Sequence, residues 1–356
     1  MSNPKYIRQT ALKNFGPEAQ EKLSAAKVLV VGAGGLGVPV LQYLNAMGIG
    51  TLGIVDHDRI ELSNLHRQVL YDEGDIGKYK ADVAGKKLSA QNSDTEIQVY
   101  RMEFKLKNAE ALISDFDLVI DATDNFATRY LINDVCVLNG KPFVYGGLYG
   151  YEGQVSIFNY ENGPSLRCLF PEMPGPDEVP DCNINGVLGV LPAIIGNFQA
   201  LEAVKLITGI GELSSGKLMI YDGWNQRITK VGIKRVASHF NITELAGHYE
   251  EVSVESGITI SPEEINKLML SHRDLMIIDV RENREYNKFH LEGSLNVPLS
   301  RLNAELGQIP ETEAVLVVCQ SGIRSRKAVS ILSELKIPIY ELKGGINNYL
   351  YYADNR

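Results

Sequence analysis

Cysteine is scarce in this sequence, and the few cysteines stand far apart. The chain of 356 residues has four, namely Cys136, Cys168, Cys182 and Cys319. Secreted domains held together by disulfides carry denser and more closely spaced cysteines, so this pattern argues against a disulfide framework. Reduced thiols and a cytoplasmic location are therefore predicted.

An excess of positive charge is also absent. Lysine and arginine total 35 against 44 acidic residues, and the net charge of −9 argues against a general nucleic-acid binder. A local basic pocket would still suit phosphate groups. The first residues, MSNPKYIRQT, lack a basic segment followed by an apolar core, and no apolar run approaches the roughly 18–20 residues that span a bilayer. Neither a secretory signal nor a membrane partner is expected.

What the sequence does contain is enough apolar residues for two or three domains. Hydrophobic residues make up 44% of the chain and charged residues 22%, as in soluble globular proteins. Strand and helix patterns alternate within residues 1–236, which predicts an α/β domain with a mostly parallel, Rossmann-like sheet. Residues 237–257 are polar and acidic and are interpreted as a linker. A second, smaller α/β domain is predicted for residues 258–356.

A glycine-rich turn after the first strand predicts a phosphate-binding loop. Gly32, Gly34 and Gly37 have the GxGxxG spacing between a strand and a helix, where glycine lets the backbone approach phosphate oxygens. Asp56 stands about 20 residues further on, where it can accept hydrogen bonds from ribose hydroxyls. This fingerprint alone fits a nicotinamide dinucleotide as well, so an NAD-dependent oxidoreductase remains an alternative.

Additional charged residues favour a triphosphate over a dinucleotide. Asn64, Arg67 and Lys80 follow in the segments SNLHRQ and GKYKADVA. Two cations beside the phosphates would neutralise the charge that develops during attack at phosphorus. Asp124, at the end of a later strand, can hold Mg²⁺ against those phosphates. ATP with Mg²⁺ is therefore the predicted ligand.

These motifs resemble the MoeB/ThiF/HesA family over roughly residues 6–236. The similar segments are YIRQTALKNFG, GAGGLG, IVDHD, SNLHRQ, IDATDN, DCNINGVLGVLP and YDGW, in that order. The resemblance implies an enzyme that adenylates the C-terminal Gly-Gly of a small ubiquitin-like sulfur-carrier protein of the MoaD or ThiS type. It also implies a set of nucleotide contacts, namely Gly32, Gly34, Gly35, Gly37, Asp56, Asp58, Ser63, Asn64, Arg67, Gln68, Lys80, Asp124 and Asn125.

The resemblance has two further implications. Arg8 matches an arginine that family members insert into the site of the neighbouring subunit, which implies a homodimer. Family members commonly carry a structural zinc site made of two CxxC pairs, but here the first pair keeps only Cys168, with Ser165 at the other position. Because a lone thiolate cannot build a tetrahedral site, no zinc is predicted.

Cys182 matches a position that handles sulfur in some relatives. As a nucleophile it would attack an acyl-disulfide or acyl-adenylate, and the alternative is an incidental loop thiol. Cys136 falls in an apolar helical pattern, and both Cys136 and Cys168 are interpreted as structural.

A second chemical motif, AVLVVCQSGIRS, lies near the C-terminus. Cys319 follows a strand pattern directly, and Arg324 closes a short loop before a helix pattern. Loop amides, the helix N-terminus and the arginine would stabilise an anionic sulfur. Phosphatases use a similar cradle, but the four residues between Cys319 and Arg324 are one fewer than in tyrosine phosphatases. The smaller ring favours a sulfurtransferase.

The residues around Cys319 resemble the rhodanese family, over nearly all of residues 258–351. The similarity lies in MIIDVRENREYNKFHLEGSLNVPLS and LKGGINNY. It implies that Cys319 carries a persulfide received from an upstream donor such as a cysteine desulfurase.

Together the two resemblances predict an adenylyltransferase fused to a sulfurtransferase. ATP would convert the carrier's carboxylate to an acyl-adenylate, and the Cys319 persulfide would then displace AMP. Molybdenum cofactor, thiamine or related biosynthesis would use the resulting thiocarboxylate. The remaining alternative is an activating enzyme for protein conjugation, in which Cys182 would hold the carrier as a thioester.

Overall fold

The computed structural model describes two separate units of this chain. The described residues are 3–173, 186–245, 249, 258–272, 274–310 and 312–354. The first unit includes the described residues up to Tyr249, and the second begins at Ile258. Both units combine parallel strands with helices, so the predicted α/β class is confirmed.

The first unit is built on one sheet, which has eight strands in its described residues. Their order is β3-β2-β1-β4-β5-β6-β7-β8. The pairs from β3 to β5 are parallel, and those from β5 to β8 are antiparallel. The strands are β1 (Lys27–Val31), β2 (Thr51–Val55), β3 (Glu96–Tyr100), β4 (Leu118–Asp121), β5 (Phe143–Tyr149), β6 (Glu152–Phe158), β7 (Lys217–Asp222) and β8 (Arg227–Gly232).

Helices and apolar clusters cover both faces of this sheet. The described helices are α1 (Ile7–Thr10), α2 (Gly16–Ala25), α3 (Gly37–Ala46), α4 (Lys80–Gln91), α5 (Leu106–Ser114), α6 (Phe126–Leu138), α7 (Leu166–Leu169) and α8 (Val190–Thr208). Strands β2 and β4 are buried along their whole length, as expected of parallel strands with helices on either side. The glycine turn and the ends of β2 and β4 therefore meet at the carboxyl edge of a rigid sheet.

Helix α8 corrects one expectation drawn from the sequence. It has 19 residues and is apolar enough for a membrane span by length and composition, although no apolar run long enough to span a bilayer was predicted from the sequence. Half of it is buried, and it packs against α3, β5 and β6. These contacts are those of a core helix.

The first unit also extends beyond the predicted boundary at residue 236. Residues Ala237–Phe240 form a 3₁₀ helix, and Tyr249 is buried in the core of this unit. The Tyr249 hydroxyl donates a hydrogen bond to the buried carboxylate of Asp134. The described part of the predicted linker is thus anchored to the first unit.

The second unit has a smaller parallel sheet in the order β11-β10-β12-β13-β9. Its strands are β9 (Ile258–Ile260), β10 (Leu275–Asp279), β11 (Leu295–Asn296), β12 (Ala314–Val318) and β13 (Ile339–Leu342). The described helices are α9 (Ile265–Ser271), α10 (Asn283–Tyr286), α11 (Leu299–Glu305), α12 (Ile323–Leu332) and α13 (Gly345–Asp354). The central strand β12 is completely buried and leads directly to Cys319.

Candidate functional site

The glycine turn connects β1 to α3 and has no room for side chains at two positions. Gly32 has a φ of +101°, and a Cβ there would lie 2.6 Å from the carbonyl oxygen of Ala122. A Cβ on Gly37 would lie 1.9 Å from the carbonyl oxygen of Gly32. A Cβ on Gly34 would make an ordinary contact with Nε2 of Gln68 at 3.5 Å, and Gly34 itself is partly exposed. Open backbone amides at the start of a helix suit phosphate oxygens.

Asp56 holds this turn from the end of β2. Its carboxylate accepts hydrogen bonds from the amides of Ala33 and Asp58, both at 2.8 Å. Burial raises the pKa of Asp56, and the positive charge of Lys80 opposes that rise. The carboxylate therefore stands beside the turn, as expected of a ribose-binding residue, and also fixes the turn's backbone.

Lys80 supplies a buried positive charge near Asp56. It is the first residue of α4 and is only 6% exposed. Its Nζ lies 2.8 Å from Oδ2 of Asp58, which is half exposed. Asp58 was predicted to contact the nucleotide, and in this structure it is the partner that orients Lys80.

Arg67 and Gln68 border the glycine turn. Gln68 is 3% exposed, and its Nε2 is the atom 3.5 Å from the Cβ position of Gly34. The Cγ of Arg67 lies 3.5 Å from the Cβ position of Gly35, which Pro192 of α8 approaches to 3.0 Å. The turn is therefore enclosed by an arginine, a glutamine and the start of α8.

The other residues of the SNLHRQ segment are arranged around Arg67. Its Nη1 donates to the carbonyl oxygen of Ser63 at 3.0 Å and lies 2.7 Å from Nε2 of His66. Asn64 is buried, and its Oδ1 accepts from the Glu61 amide at 3.4 Å. The contacts with Ser63 and His66 therefore hold the Arg67 guanidinium.

Asp124 and Asn125 follow β4 and have different surroundings. Asp124 is exposed, and it stands two residues after Ala122, whose carbonyl oxygen lies against Gly32. The Asn125 side chain caps α6 by accepting a hydrogen bond from the Thr128 amide at 2.8 Å. An exposed carboxylate beside the turn suits Mg²⁺ bound to phosphates, whereas Asn125 has a structural reason to be present.

Two buried charged residues near Asp124, namely Asp121 and Arg129, were not predicted as part of the site from the sequence. Asp121 is completely buried at the end of β4, and Arg129 of α6 is 6% exposed. The Asp121 Oδ2 lies 3.9 Å from the Arg129 Nε, and burial raises the pKa of Asp121. Only the order of strands and helices brings these two residues together, so no spacing in the sequence indicates them.

Two predicted residues are not brought into this site by the described structure. Arg8 lies in α1 with an exposed side chain. Cys182 lies outside the described residues. The roles of both stay predictions.

The region where members of the resembled family commonly carry zinc contains a network of hydrogen bonds in this chain. The Cys168 Sγ accepts from the Val236 amide at 3.3 Å and lies 3.5 Å from Ser165 Oγ. Arg167 pairs with both oxygens of Asp134 at 2.8 and 2.6 Å. Among the described residues no group of three or more His, Cys, Asp or Glu is placed to hold a metal ion.

Cys136 is buried in α6, and burial raises the pKa of its thiol.

The sulfur site is a compact loop between β12 and α12. The Gly322 amide donates to the Cys319 Sγ at 3.1 Å, and the thiol lies 3.5 Å from the Ser325 hydroxyl. Gly322 caps α12 with a φ of +92°. An amide donor and a helix N-terminus directed at sulfur can stabilise negative charge on it.

The start of α13 clamps this loop. The carbonyl oxygens of Cys319 and Gln320 accept from the amides of Ile346 and Asn347 at 2.8 and 3.0 Å. A Cβ on Gly345 would lie 2.3 Å from the Cys319 carbonyl oxygen. The GG of LKGGINNY therefore lets the backbone of α13 approach the cysteine loop.

Side chains brace the loop from its other flank. Buried Arg281 donates to the Gln320 Oε1 at 2.8 Å and pairs with Asp279 at 2.7 Å. Arg324 pairs with both oxygens of Glu285 in α10, each at 2.6 Å. Arg324 was expected to add a positive charge at the end of the loop, and Glu285 compensates that charge. The role of Glu285 could not be seen in the sequence, because it stands 39 positions before its partner.

Comparisons with known proteins match both units. The model of the ThiF family matches residues 6–239, and that of the rhodanese-like domain matches residues 261–351. "Probable adenylyltransferase/sulfurtransferase MoeZ" of Mycobacterium tuberculosis is 38% identical, over 96% of this chain and 91% of the relative. "Sulfur carrier protein adenylyltransferase" of Thermus thermophilus is 50% identical, over 65% of this chain and 87% of the relative. "Adenylyltransferase and sulfurtransferase MOCS3" of Arabidopsis thaliana is 36% identical, over 93% of this chain and 79% of the relative.

Solved structures share the fold of the larger part of the chain. The crystal structure of E. coli MccB with ATP has a TM-score of 0.58 at 23% identity, over 66% of this chain and 72% of that one. The crystal structure of selenomethionine PaaA has a TM-score of 0.55 at 26% identity, over 65% of this chain and 73% of that one. The Rossmann-like architecture predicted from the sequence is thus confirmed.

Proposed function

The chain belongs to the ThiF family and also carries a rhodanese-like domain, and from this premise we propose that it activates and sulfurates a sulfur-carrier protein. The first unit adenylates the C-terminal Gly-Gly of a small ubiquitin-like carrier with ATP. The second unit transfers sulfur from a persulfide on Cys319 and so forms a thiocarboxylate. The names of the relatives from M. tuberculosis, T. thermophilus and A. thaliana support both halves of this proposal.

The observation that carries the proposal is the buried Lys80 beside the glycine turn. The burial of Lys80 and its pairing with Asp58 support a role in neutralising phosphate charge. Arg67, whose Cγ lies 3.5 Å from the Cβ position of Gly35, would be the second cation, and two cations favour a triphosphate over a dinucleotide. The nicotinamide alternative is therefore not favoured.

The residues of the first unit fit ATP and Mg²⁺. No side chain fits at Gly32 or Gly37, and the bare backbone at Gly34 is partly exposed, which suits the approach of phosphate oxygens. Asp56 would bind the ribose, and Asp124 would hold Mg²⁺, which would supply Lewis-acid stabilisation of the phosphate charge. Arg67 and Lys80 would stabilise the charge on the phosphates as it shifts towards the leaving group.

Adenylation then needs only position and charge. A carboxylate oxygen of the carrier attacks the α-phosphorus of ATP, the bond to the bridging oxygen breaks, and pyrophosphate leaves with the electron pair. The product is an acyl-adenylate, and no covalent bond to the protein forms in this step. We expect the chain to act as a homodimer in which Arg8 reaches the partner's nucleotide.

Sulfur transfer proceeds at Cys319. A persulfide donor such as a cysteine desulfurase loads its Sγ, and the terminal sulfur attacks the acyl carbon and expels AMP. The acyl disulfide is then cleaved by a second thiol, from Cys182 or an external reductant, which attacks the Cys319 Sγ. The carrier leaves as a thiocarboxylate, and a disulfide remains between Cys319 and that thiol until it is reduced. Reduced cysteines and a cytoplasmic location fit this chemistry.

The proposal is tested by ATP–pyrophosphate exchange, with carriers of the MoaD and ThiS type supplied one at a time. Exchange that depends on one carrier would support adenylation and identify the partner. Absence of ATP binding by the full chain would contradict the proposal and restore the nicotinamide alternative. ATP binding without exchange, for every Gly-Gly carrier tried, would contradict the assignment of the carrier class.

A further inference from the structure

Beneath the exposed Asp124 lies a buried pair of opposite charges, Asp121 and Arg129. Asp121 ends β4 and is completely buried, while Arg129 lies four positions into α6 and is 6% exposed. A buried ion pair contributes little to stability on average, because desolvation offsets the attraction. Stability alone is therefore a weak reason for this pair at the edge of the nucleotide site.

Both members of the pair hold the same residue, Thr123. The Arg129 Nη2 donates to the Thr123 carbonyl oxygen at 2.7 Å. The Asp121 Oδ1 accepts from the Thr123 amide at 3.1 Å and from its hydroxyl at 2.6 Å. The amide, carbonyl and hydroxyl of Thr123 are all fixed, and Thr123 directly precedes Asp124.

The guanidinium of Arg129 is itself held by several contacts. Its Nη1 donates to the Tyr145 hydroxyl at 3.1 Å, and its centre lies 5.5 and 5.0 Å from the rings of Phe126 and Tyr145. The planar guanidinium uses a separate nitrogen for each acceptor, the Thr123 carbonyl and the Tyr145 hydroxyl, and the single nitrogen of lysine does not reproduce this fixed geometry. The position therefore requires the shape of arginine as well as its charge.

We propose that Arg129 is a positioning residue that sets the Asp124 carboxylate for Mg²⁺ bound to ATP. It acts through the Thr123 carbonyl and has no contact with nucleotide or metal in this account. The glycine turn lies against the same segment, because the Cβ position of Gly32 is 2.6 Å from the Ala122 carbonyl oxygen. Arg129 thus fixes Asp124 relative to the phosphates. This inference rests on the proposed use of ATP by the first unit.

The test measures metal affinity without turnover. The full chain is mixed with ATP but no carrier, and Mn²⁺ is titrated while the relaxation rate of water protons reports its binding. Arg129→Lys is expected to weaken Mn²⁺ binding to the ATP complex about tenfold or more, while ATP affinity without metal stays within about twofold. The variant Asp124→Ala defines the full loss. If Arg129 acts through Asp124, the double variant binds Mn²⁺ no more weakly than Asp124→Ala.

Controls separate this role from a merely structural one. Tyr130→Phe removes a different buried hydrogen bond of α6, to the Phe170 carbonyl oxygen at 2.7 Å, and is expected to leave Mn²⁺ affinity within about twofold. An equal loss in Tyr130→Phe, an unchanged affinity in Arg129→Lys, or additive losses in the double variant would each overturn the proposal. If Arg129→Lys does not fold, Asp121→Asn serves as the second variant, and normal Mn²⁺ affinity there would also overturn it. Failure of wild-type ATP binding would instead count against the proposed function.

Discussion

The two candidate sites both lie at the carboxyl ends of parallel strands, yet they are assembled in different ways. The nucleotide site draws on five segments of the chain, from the glycine turn at Gly32 to Asp124 after β4. The sulfur site is one loop, from Cys319 to Arg324, that the backbone of α13 holds in place. This difference follows from the chemistry. Phosphoryl transfer needs several charges around an extended ligand, whereas sulfur transfer needs one nucleophile in a cradle of amides.

The largest expected effect comes from removing one sulfur atom, which should abolish the activity of one site and leave that of the other unchanged. Cys319→Ala removes the sulfur that would carry the persulfide, so thiocarboxylate formation should fall to background while ATP–pyrophosphate exchange persists. Mass spectrometry of the carrier measures thiocarboxylate formation, and the exchange assay measures adenylation. Cys168→Ala, which removes a thiol of the first unit, is the matched control and should retain both activities. Loss of exchange in Cys319→Ala would contradict the separation of the two steps.

The two sites also differ in how much of them could be predicted from the sequence. The loop from Cys319 to Arg324 is contiguous, so its strand, cysteine and helix follow one another in the sequence as they do in space. Gly345 was predicted only as part of a motif, and its contact with the Cys319 carbonyl depends on the sheet order. Glu285 was missed, because the pairing with Arg324 joins two helices.

For the nucleotide site, separate motifs predicted the parts but not what supports them. The glycine turn, Asp56 and Lys80 stand at recognisable ends of strands and helices. Asp121 and Arg129 are polar residues inside apolar patterns, and only the packing of α6 on the sheet makes them a pair. The burial of Tyr249 was not predicted for a similar reason, since an isolated aromatic in a polar segment has no periodicity that indicates it.

The second prediction concerns the distributed charges of the nucleotide site. Lys80→Met keeps the length of a buried side chain but removes its charge, and exchange should fall by about 10²–10³-fold. Sulfur loading at Cys319 should not change. Lys78→Met is the matched control, because Lys78 is an exposed lysine two positions away that pairs with Asp75 at 3.1 Å. Equal losses in both variants would show that the effect is not specific to the buried position.

The third prediction tests the clamp on the sulfur loop. Gly345 has a φ of +60° and no room for a Cβ, so Gly345→Ala adds about 1–3 kcal/mol of backbone strain before the clash is counted. The loop must shift, and thiocarboxylate formation should fall by about 10²-fold. Gly307→Ala is the control, since no atom lies within 4 Å of its Cβ position. ATP–pyrophosphate exchange should be normal in both variants. Unimpaired sulfur transfer in Gly345→Ala would show that sulfur transfer does not depend on the contact between α13 and the cysteine loop.

The smallest expected effect concerns the ion pair of Arg324 and Glu285, which gives the second unit a sensitivity to acid. Hydrogen bonding by Arg324 lowers the pKa of Glu285. The folded state therefore favours the ionised carboxylate, and this stabilisation is fully present above the unfolded pKa of about 4.3. It is lost as the pH falls through the lowered folded pKa. Because the Glu285 side chain is 33% exposed, the pair should contribute only about 0.5–1 kcal/mol.

Glu285→Gln should accordingly destabilise the second unit at pH 7 and converge with the wild type at an acidic pH below the lowered folded pKa of Glu285. Hydrogen exchange of peptides from residues 258–354 measures this unit by itself, while the fluorescence of Trp224, the single tryptophan of the chain, follows the first unit. Glu292→Gln, at an exposed position of the second unit, controls for the loss of one charge. A difference between Glu285→Gln and the wild type that is the same at both pH values would mean that Glu285 acts through packing. In that case the contribution of Glu285 to stability would not depend on the ionised carboxylate that pairs with Arg324.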